Sequence, residues 1–217
     1  MFLSTMQPIA VLEDLQRTGI YRADEAKMEM LPDFKRAYIW MVRQMEDRIG
    51  HRPDGVTWPV WAWYKHCNKT GRLDLRRQEN WEYEPMVCVE VDIPDSQVLL
   101  SDFDRWHFVL NNWTCAETEA EDTYFEEMIA RGSKEEGQRI KEATWPRVFD
   151  LTPPTDVSWR GPIDSIQATF WELRLEQVLS VRNCRVYKKS PFADDWSTGV
   201  ELVTLHDWFK EDLDSIA

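Results

Sequence analysis

Met86-Val87-Cys88-Val89-Glu90-Val91-Asp92-Ile93 places Val87, Val89, Val91 and Ile93 on one side of an extended chain and Glu90 and Asp92 on the other. That period of two predicts a strand with its valine face inward and its acids outward. Upstream, Thr57 to Tyr64 puts Trp58, Val60, Ala62 and Tyr64 on one side and Trp61 and Trp63 on the other, with Pro59 near the start of a second strand. Between the N-terminus and that strand, the spacing predicts two helices. Residues 8 to 18 open with Pro8, repeat apolar residues at Ile9, Val11, Leu12 and Leu15, and stop at Gly19, after a short strand at Phe2 to Thr5. Asp33 is expected to cap a longer helix whose apolar face is Phe34, Ala37, Tyr38, Met41, Val42, Met45 and Ile49, ended by Gly50.

Downstream, residues 97 to 100 suggest another strand, and Ser101 with Asp104 has capping-box spacing ahead of a short helix through Trp106, Val109 and Leu110. Residues 117 to 144 are rich in Glu and Lys and predict one or two helices, broken near Gly132, with Ser133 and Glu136 as a second cap. After Pro153-Pro154, strands are expected at Ile166 to Leu173 and Val178 to Tyr187, and Thr204 caps a last helix around Leu205, Trp208 and Phe209. Strands and helices interleave irregularly, without the alternation of a doubly wound parallel sheet. The expectation is a single α+β domain over residues 1–217, with a mixed or antiparallel sheet and peripheral helices.

Composition bounds the function. A chain of 217 residues suits one core, since single cores grow to about 250 residues before chains divide. No run of about 18 apolar residues offers a membrane span. Met1 to Pro8 lacks the basic and apolar regions of a signal peptide, so a cytoplasmic location is expected. The net charge is −13, from 39 acidic and 26 basic residues, which disfavours a broad duplex-binding face. The local basic stretch from Lys65 to Arg77, with Arg72, Arg76 and Arg77, is the exception: it is a solvated loop or a contact for RNA or DNA phosphate. Cys67, Cys88, Cys115 and Cys184 are scattered, so zinc is not expected; Cys88 and Cys184 fall in apparent strands and suit buried, reduced thiols.

Several signatures are missing. There is no G-x-G-x-x-G, and Gly50 to Gly55 is followed by Val56-Thr57 rather than Lys and Ser or Thr, so phosphate cradling by either motif fails. H-E-x-x-H and G-x-S-x-G are absent as well. Glu90-Val91-Asp92 has a metal-nuclease flavour, but no lysine follows to assist a water.

Two features could carry function. The twelve tryptophans exceed what a core of this size ordinarily needs, and Trp61, Trp63, Trp106 and Trp171 lie next to polar groups. An indole offers a flat face and a single donor, suited to stacking on a base or nicotinamide, or simply to filling the interior. Asp102-Phe103-Asp104-Arg105-Trp106-His107 concentrates carboxylates, a guanidinium, an indole and an imidazole at one strand-to-helix junction. It is either a ligand site or a helix start complemented by acids.

The strings Thr5-Met6-Gln7-Pro8, Leu15 to Tyr21, Ala37-Tyr38-Ile39-Trp40-Met41, Pro59 to Tyr64, Leu99 to Asp104 with Trp106-His107, and Gln167-Ala168-Thr169-Phe170-Trp171-Glu172 resemble a family of uncharacterised bacterial and phage proteins. More remotely, the order of Phe2 to Gln7, Pro8 to Gly19-Ile20 and Ile166 to Glu176 resembles ADP-ribosyltransferases of toxin–antitoxin systems. Those proteins pair an opening strand and helix with a closing strand that bears a glutamate.

The second resemblance implies a split sheet with NAD in a cleft. Thr5 and Gln7 would hold its ribose or nicotinamide, and Tyr38, Trp61 or Trp63 would stack on the ring. Asp104, Trp106 and His107 are further candidate cofactor contacts. A carboxylate aimed at the ribose stabilises the positive charge that develops as the nicotinamide–ribose bond breaks. This chain departs from that pattern. Gln167 occupies the best-placed position, Thr5 or Gln7 replaces the usual first-strand histidine or arginine, and Glu172 and Glu176 are the substitute carboxylates. If Ile166 to Leu173 is one strand, Glu172 lies on the face opposite Gln167. The acceptor of ADP-ribose would be a nucleotide, nucleic acid or protein, and a cognate antitoxin is a possible partner. The alternative is a non-enzymatic phage or defence protein whose acidic surface around residues 117 to 136 docks a basic partner or mimics nucleic acid.

Overall fold

The computed structural model describes residues 1–23, 32–77, 80, 82, 84–154, 157–187 and 202–203 of an α+β chain with antiparallel sheets. In chain order these form β1 (Phe2–Pro8), α1 (Ile9–Thr18), β2 (Ile20–Tyr21), α2 (Lys35–Ile49), β3 (Val60–His66), β4 (Lys69–Thr70), β5 (Met86–Asp92) and β6 (Leu99–Asp102). There follow α3 (Phe103–Leu110), α4 (Glu119–Arg131), α5 (Lys134–Thr144), α6 (Val157–Arg160), β7 (Ile166–Phe170), β8 (Leu173–Arg174), β9 (Val178–Asn183), β10 (Val186–Tyr187) and β11 (Leu202–Val203). The contacts divide into two compact units, Met1–Tyr21 with Gly71–Pro94 and Glu172–Ala217, and Arg22–Thr70 with Asp95–Trp171. The helix expected at Thr204 to Phe209 lies outside the described residues.

In the first unit β5 is the middle strand, antiparallel to β1 from Phe2 opposite Asp92 to Pro8 opposite Met86, and antiparallel to β9 on its other side. Val87, Val89 and Val91 are buried, and α1 packs on β1 and β5 through its buried Leu15. Burying one such leucine is worth about 2 kcal/mol. Gly19 ends α1 at φ 78°, where its N–H donates to the Leu15 carbonyl, a left-handed cap that a Cβ would strain. β2 pairs with β8, and β10 with β11.

In the second unit β7 lies between β6 and β3, antiparallel to both, and β3 turns into β4 through Cys67 and Asn68, at φ 48° and 63°. Both central residues at positive φ match the tight hairpin turn whose twist suits its flanking strands. Strand bounds moved in several places: the strand expected at Phe2 to Thr5 continues to Pro8, the one at 97–100 runs from Leu99 to Asp102, and the one at Val178 to Tyr187 divides into β9 and β10. The strand expected at 57–64 runs from Val60 to His66, and the one expected at 166–173 stops at Phe170, because the Trp171 indole N–H donates to the Gly50 carbonyl and the chain leaves the ladder there. α2 buries Ala37, Trp40, Met41, Val42 and Met45 and packs on α3 and β6. Asp33 sits in a 3-10 turn and makes no cap; Phe34 precedes the first helical residue. α4 and α5 are separated at Gly132, and Ser133 with Glu136 forms the expected capping box. Among the described residues no helix is long and apolar enough to cross a membrane.

Candidate functional site

Direct opposition across β6, β7 and β3 fixes which side chains share a face. Trp61 stands opposite Thr169, and Trp63 opposite Gln167; on the other side of β7, Thr169 opposes Leu99 and Gln167 opposes Ser101. One face therefore holds two indoles beside three short polar residues. Trp61 is covered by Tyr38 of α2 at 5.8 Å and by Trp106 of α3 at 5.0 Å between ring centroids. Tyr38 also touches Trp58 and Trp106 edge-on at 5.9 and 6.0 Å. Trp63 packs on Phe103 at 4.9 Å and on His66 at 4.6 Å. Burial pushes the Tyr38 phenol above its usual range.

Polar demand is left over beneath these rings. The hydroxyl of Ser101 and the Oε1 of Gln167 are buried without a hydrogen-bond partner among the described residues, while Thr169 donates to the Leu99 carbonyl at 3.3 Å. A buried, unsatisfied polar atom costs about 1–3 kcal/mol. Two of them on facing positions form the least satisfied polar spot on this face.

The Asp102 to His107 junction resolves differently. Asp102, rather than Ser101, caps α3, its carboxylate accepting from the N–H groups of Asp104 at 2.9 Å and Arg105 at 3.3 Å. Burial nonetheless holds the Asp102 carboxyl above its ordinary value, against the opposing pull of those donors and the Arg105 charge. The Arg105 guanidinium is buried, donating to both Glu117 oxygens at 2.8 and 3.1 Å and to the carbonyls of Arg147 and Asp150. Glu117 also pairs with Arg160, and Arg147 grips Glu121 through two bonds of 2.7 Å. Trp106 is buried, whereas Asp104 and His107 are exposed. His107 keeps an edge contact with Phe103 at 4.5 Å, at the margin of the aromatic group. The helix-start reading accounts for Asp102.

The remaining candidates belong to the first unit. The Gln7 side-chain amide donates to the Thr5 hydroxyl at 2.7 Å, and the two residues stand opposite Val87 and Val89, so they lie on the valine face. Glu172 falls in the short connection between β7 and β8, not on a strand, and pairs with Arg174 at 2.8 Å. The face argument that set it against Gln167 no longer applies. Glu176 lies exposed in the turn after β8. Arg72 pairs with Glu90 and Arg76 with Asp74, so both guanidinium groups already have carboxylate partners.

Glu90 is the residue that sequence reading missed. Expected outward, it is buried at 3 % exposure, with Arg72 and Arg182 each at 2.7 Å and the Ser180 hydroxyl donating to its other oxygen. Burial alone would raise its pKa, but the bonds from Arg72 and Ser180 and the charge of Arg182 outweigh that and hold it below the usual glutamate range. Arg182 directly opposes Cys88 in β9, two residues from Ser180 opposite Glu90, and that matched spacing was the available signal. Beside it, burial pushes the Cys88 thiol up to about 11; Cys115 and Cys184 are pushed up to about 12 by the same cause. Such thiols stay protonated and unreactive. Among the described residues no group of three or more His, Cys, Asp or Glu side chains is arranged to hold a metal ion.

The model of a domain of unknown function, DUF3841, matches residues 2–179. The chain belongs to the DUF3841 family. The match takes in the DUF3841 residues of the aromatic face, Tyr38, Trp61, Trp63, Trp106 and Gln167, and the Glu90 carboxylate. No curated protein and no solved structure matches this DUF3841 chain.

Proposed function

We propose that this DUF3841 chain is an ADP-ribosyltransferase-like protein that binds NAD in the cytoplasm and passes ADP-ribose to a nucleotide, nucleic-acid or protein acceptor. One observation carries the reading: Gln167 Oε1 and Ser101 Oγ lie buried on facing positions beside the Trp63 indole, with no hydrogen-bond partner among the described residues. Nicotinamide is a planar ring with a carboxamide. Its amide N–H groups match the acceptors that Gln167 and Ser101 leave open, and its ring matches an indole face. Satisfying a buried acceptor with a ligand donor removes a cost the free protein bears, so it favours binding selectively for an amide-bearing ring.

Gln167 presents an amide where cleavage of the nicotinamide–ribose bond calls for a carboxylate, so binding is expected to be easier to detect than turnover. The test is thermal unfolding with NAD, with nicotinamide alone and with ADP-ribose, which lacks the carboxamide ring. A ligand at about a hundred times its Kd stabilises the native state by about 2.7 kcal/mol. NAD and nicotinamide should raise Tm, and Trp63→Ala should abolish both shifts. Equal shifts with ADP-ribose, or none at millimolar NAD, would remove the nicotinamide reading. Nicotinamide release on adding RNA, DNA or protein acceptors tests the transfer step separately.

A further inference from the structure

α4 buries none of its residues and leaves Tyr124 and Met128 open on its surface. Where α4 and α5 pass the end of α3, a groove of about 500 Å³ is lined by the apolar side chains of Phe108, Trp113 and Ile129 and by Asp122, Glu126 and Lys141. Phe108 is 41 % and Trp113 58 % exposed, and their rings meet edge-on at 6.0 Å. Large aromatic side chains gathered at one open groove are what a binding surface presents, and tryptophan is the residue most enriched among those that carry binding energy.

The groove is built rather than incidental. The Trp145 indole N–H donates to the Trp113 carbonyl at 2.8 Å, and the Thr114 hydroxyl donates to Asp122 at 3.1 Å, fixing the loop against α4. Gly137 lets α5 approach so closely that a Cβ there would meet Ile129 Cγ2 at 3.2 Å. The Trp113–Thr114 backbone and the α4–α5 contact are therefore fixed before any partner arrives, which lowers the ordering cost of binding.

Charge decides the occupant. α4 carries Glu119, Glu121, Asp122, Glu126 and Glu127 against Arg131. Glu121 is neutralised by Arg147 and Glu127 by Arg131, while Glu119, Asp122 and Glu126 make no ion pair among the described residues. Lys141 is the one base that lines the groove among the described residues, and the whole chain has a net charge of −13. Nucleic acid is repelled by such an acidic lining, and a second copy of this chain would bring like charges together.

We infer that the groove docks a basic segment of a protein partner: an amphipathic, lysine- or arginine-rich stretch that seats an apolar side chain between Trp113 and Ile129. Its cations lie against Asp122 and Glu126, in the manner of a helix laid into an apolar groove. This site is separate from the aromatic face of β3 and stands whether or not NAD binds there.

Two labelled amphipathic peptides of equal length and apolar content, one built of Lys and Leu and one of Glu and Leu, test it by fluorescence anisotropy against the whole chain. The Lys/Leu peptide should bind and the Glu/Leu peptide should not. Trp113→Ala and Glu126→Lys should each weaken binding about tenfold, as loss of one well-placed contact does. Asp54→Lys, the same charge change at an exposed residue of the 53–56 turn outside the groove, should leave binding within about twofold. Circular dichroism of each variant confirms the fold, which exposed positions tolerate. Equal loss in Glu126→Lys and Asp54→Lys would reduce the effect to diffuse charge, and equal binding of both peptides would remove charge selection; either overturns the proposal. So would a self-association in sedimentation that Trp113→Ala dissolves, since the occupant would then be a second copy.

Discussion

Gln167 on β7 stands directly opposite Trp63 on β3, and its Oε1 is buried without a hydrogen-bond partner among the described residues. The polar atom is thus supplied by the strand position at which a transferase-like reading looks for a carboxylate, on the same face as a half-buried indole. Its cost is borne by the free fold, and a ligand is the natural way to recover it.

Gln167→Met tests that trade directly. Methionine keeps the length of the side chain and removes the unsatisfied oxygen, so stability in urea should rise by about 1 kcal/mol. The Tm rise with nicotinamide should disappear in the same variant. A Gln167→Met protein that is destabilised by about 1 kcal/mol or more would mean that Gln167 is satisfied in the fold and needs no ligand.

Glu90 should govern the acid limb of stability. Its folded pKa is lowered, so its contribution is present above the ordinary glutamate value of 4.5 and is lost as pH falls through the lower folded value. Glu90→Gln should cost about 2 kcal/mol at neutral pH, below the ~3–5 kcal/mol of a fully buried pair because Arg72 is largely exposed. Urea titrations across the acid range should show the variant losing less stability than the parent as pH drops below 4.5. Parallel curves for the two proteins would contradict the assignment.

How much of this was legible depended on how local the cause was. Pro8 and Gly19 bracket α1, and Ser133 with Glu136 starts α5, because caps are decided within one turn of chain. Glu90 was misread because an alternating strand shows only which residues share a face, not what covers the second face. Here Arg72 binds Glu90 from 18 residues earlier in the chain, the Leu73 carbonyl next to it accepts from Arg182, and Leu73 and Leu75 are buried. Ser101 and Asp102 are both good caps, and only the backbone angles of the junction chose the second. The tryptophans divided likewise: Trp106, Trp145 and Trp171 fill the interior, while Trp113 and Trp159 are exposed, and residue type alone cannot sort them.

The thiols offer a simple check of burial. Cys88, Cys115 and Cys184 are buried and their pKa values are pushed up to about 11, 12 and 12, while Cys67 is only half-buried in the β3–β4 turn. An aromatic disulfide reagent at mildly alkaline pH should therefore modify Cys67 rapidly and the other three only as the chain unfolds. Fast reaction of a second thiol in the native state would place one of those strands or loops nearer to solvent.

Asp102 separates capping from charge. Its carboxylate accepts two N–H bonds at the start of α3, so Asp102→Ala should cost about 1–2 kcal/mol, and Asp102→Asn, which keeps an acceptor, much less. Its folded pKa is raised by burial, which reverses the sign found for Glu90. The favourable contribution is complete below the ordinary aspartate value of 3.8 and is lost as pH rises through the higher folded value, because the ionised form is the one that burial penalises. Asp102→Asn cannot ionise, so it should gain on the parent as pH climbs through that window, offset by the weakened contact with Arg105 at 3.9 Å. Chemical denaturation of parent, Asn and Ala variants at acidic and neutral pH reads both effects. An Asn variant that tracks the Ala variant at every pH would show that the charge, not the acceptor, holds the first turn of α3.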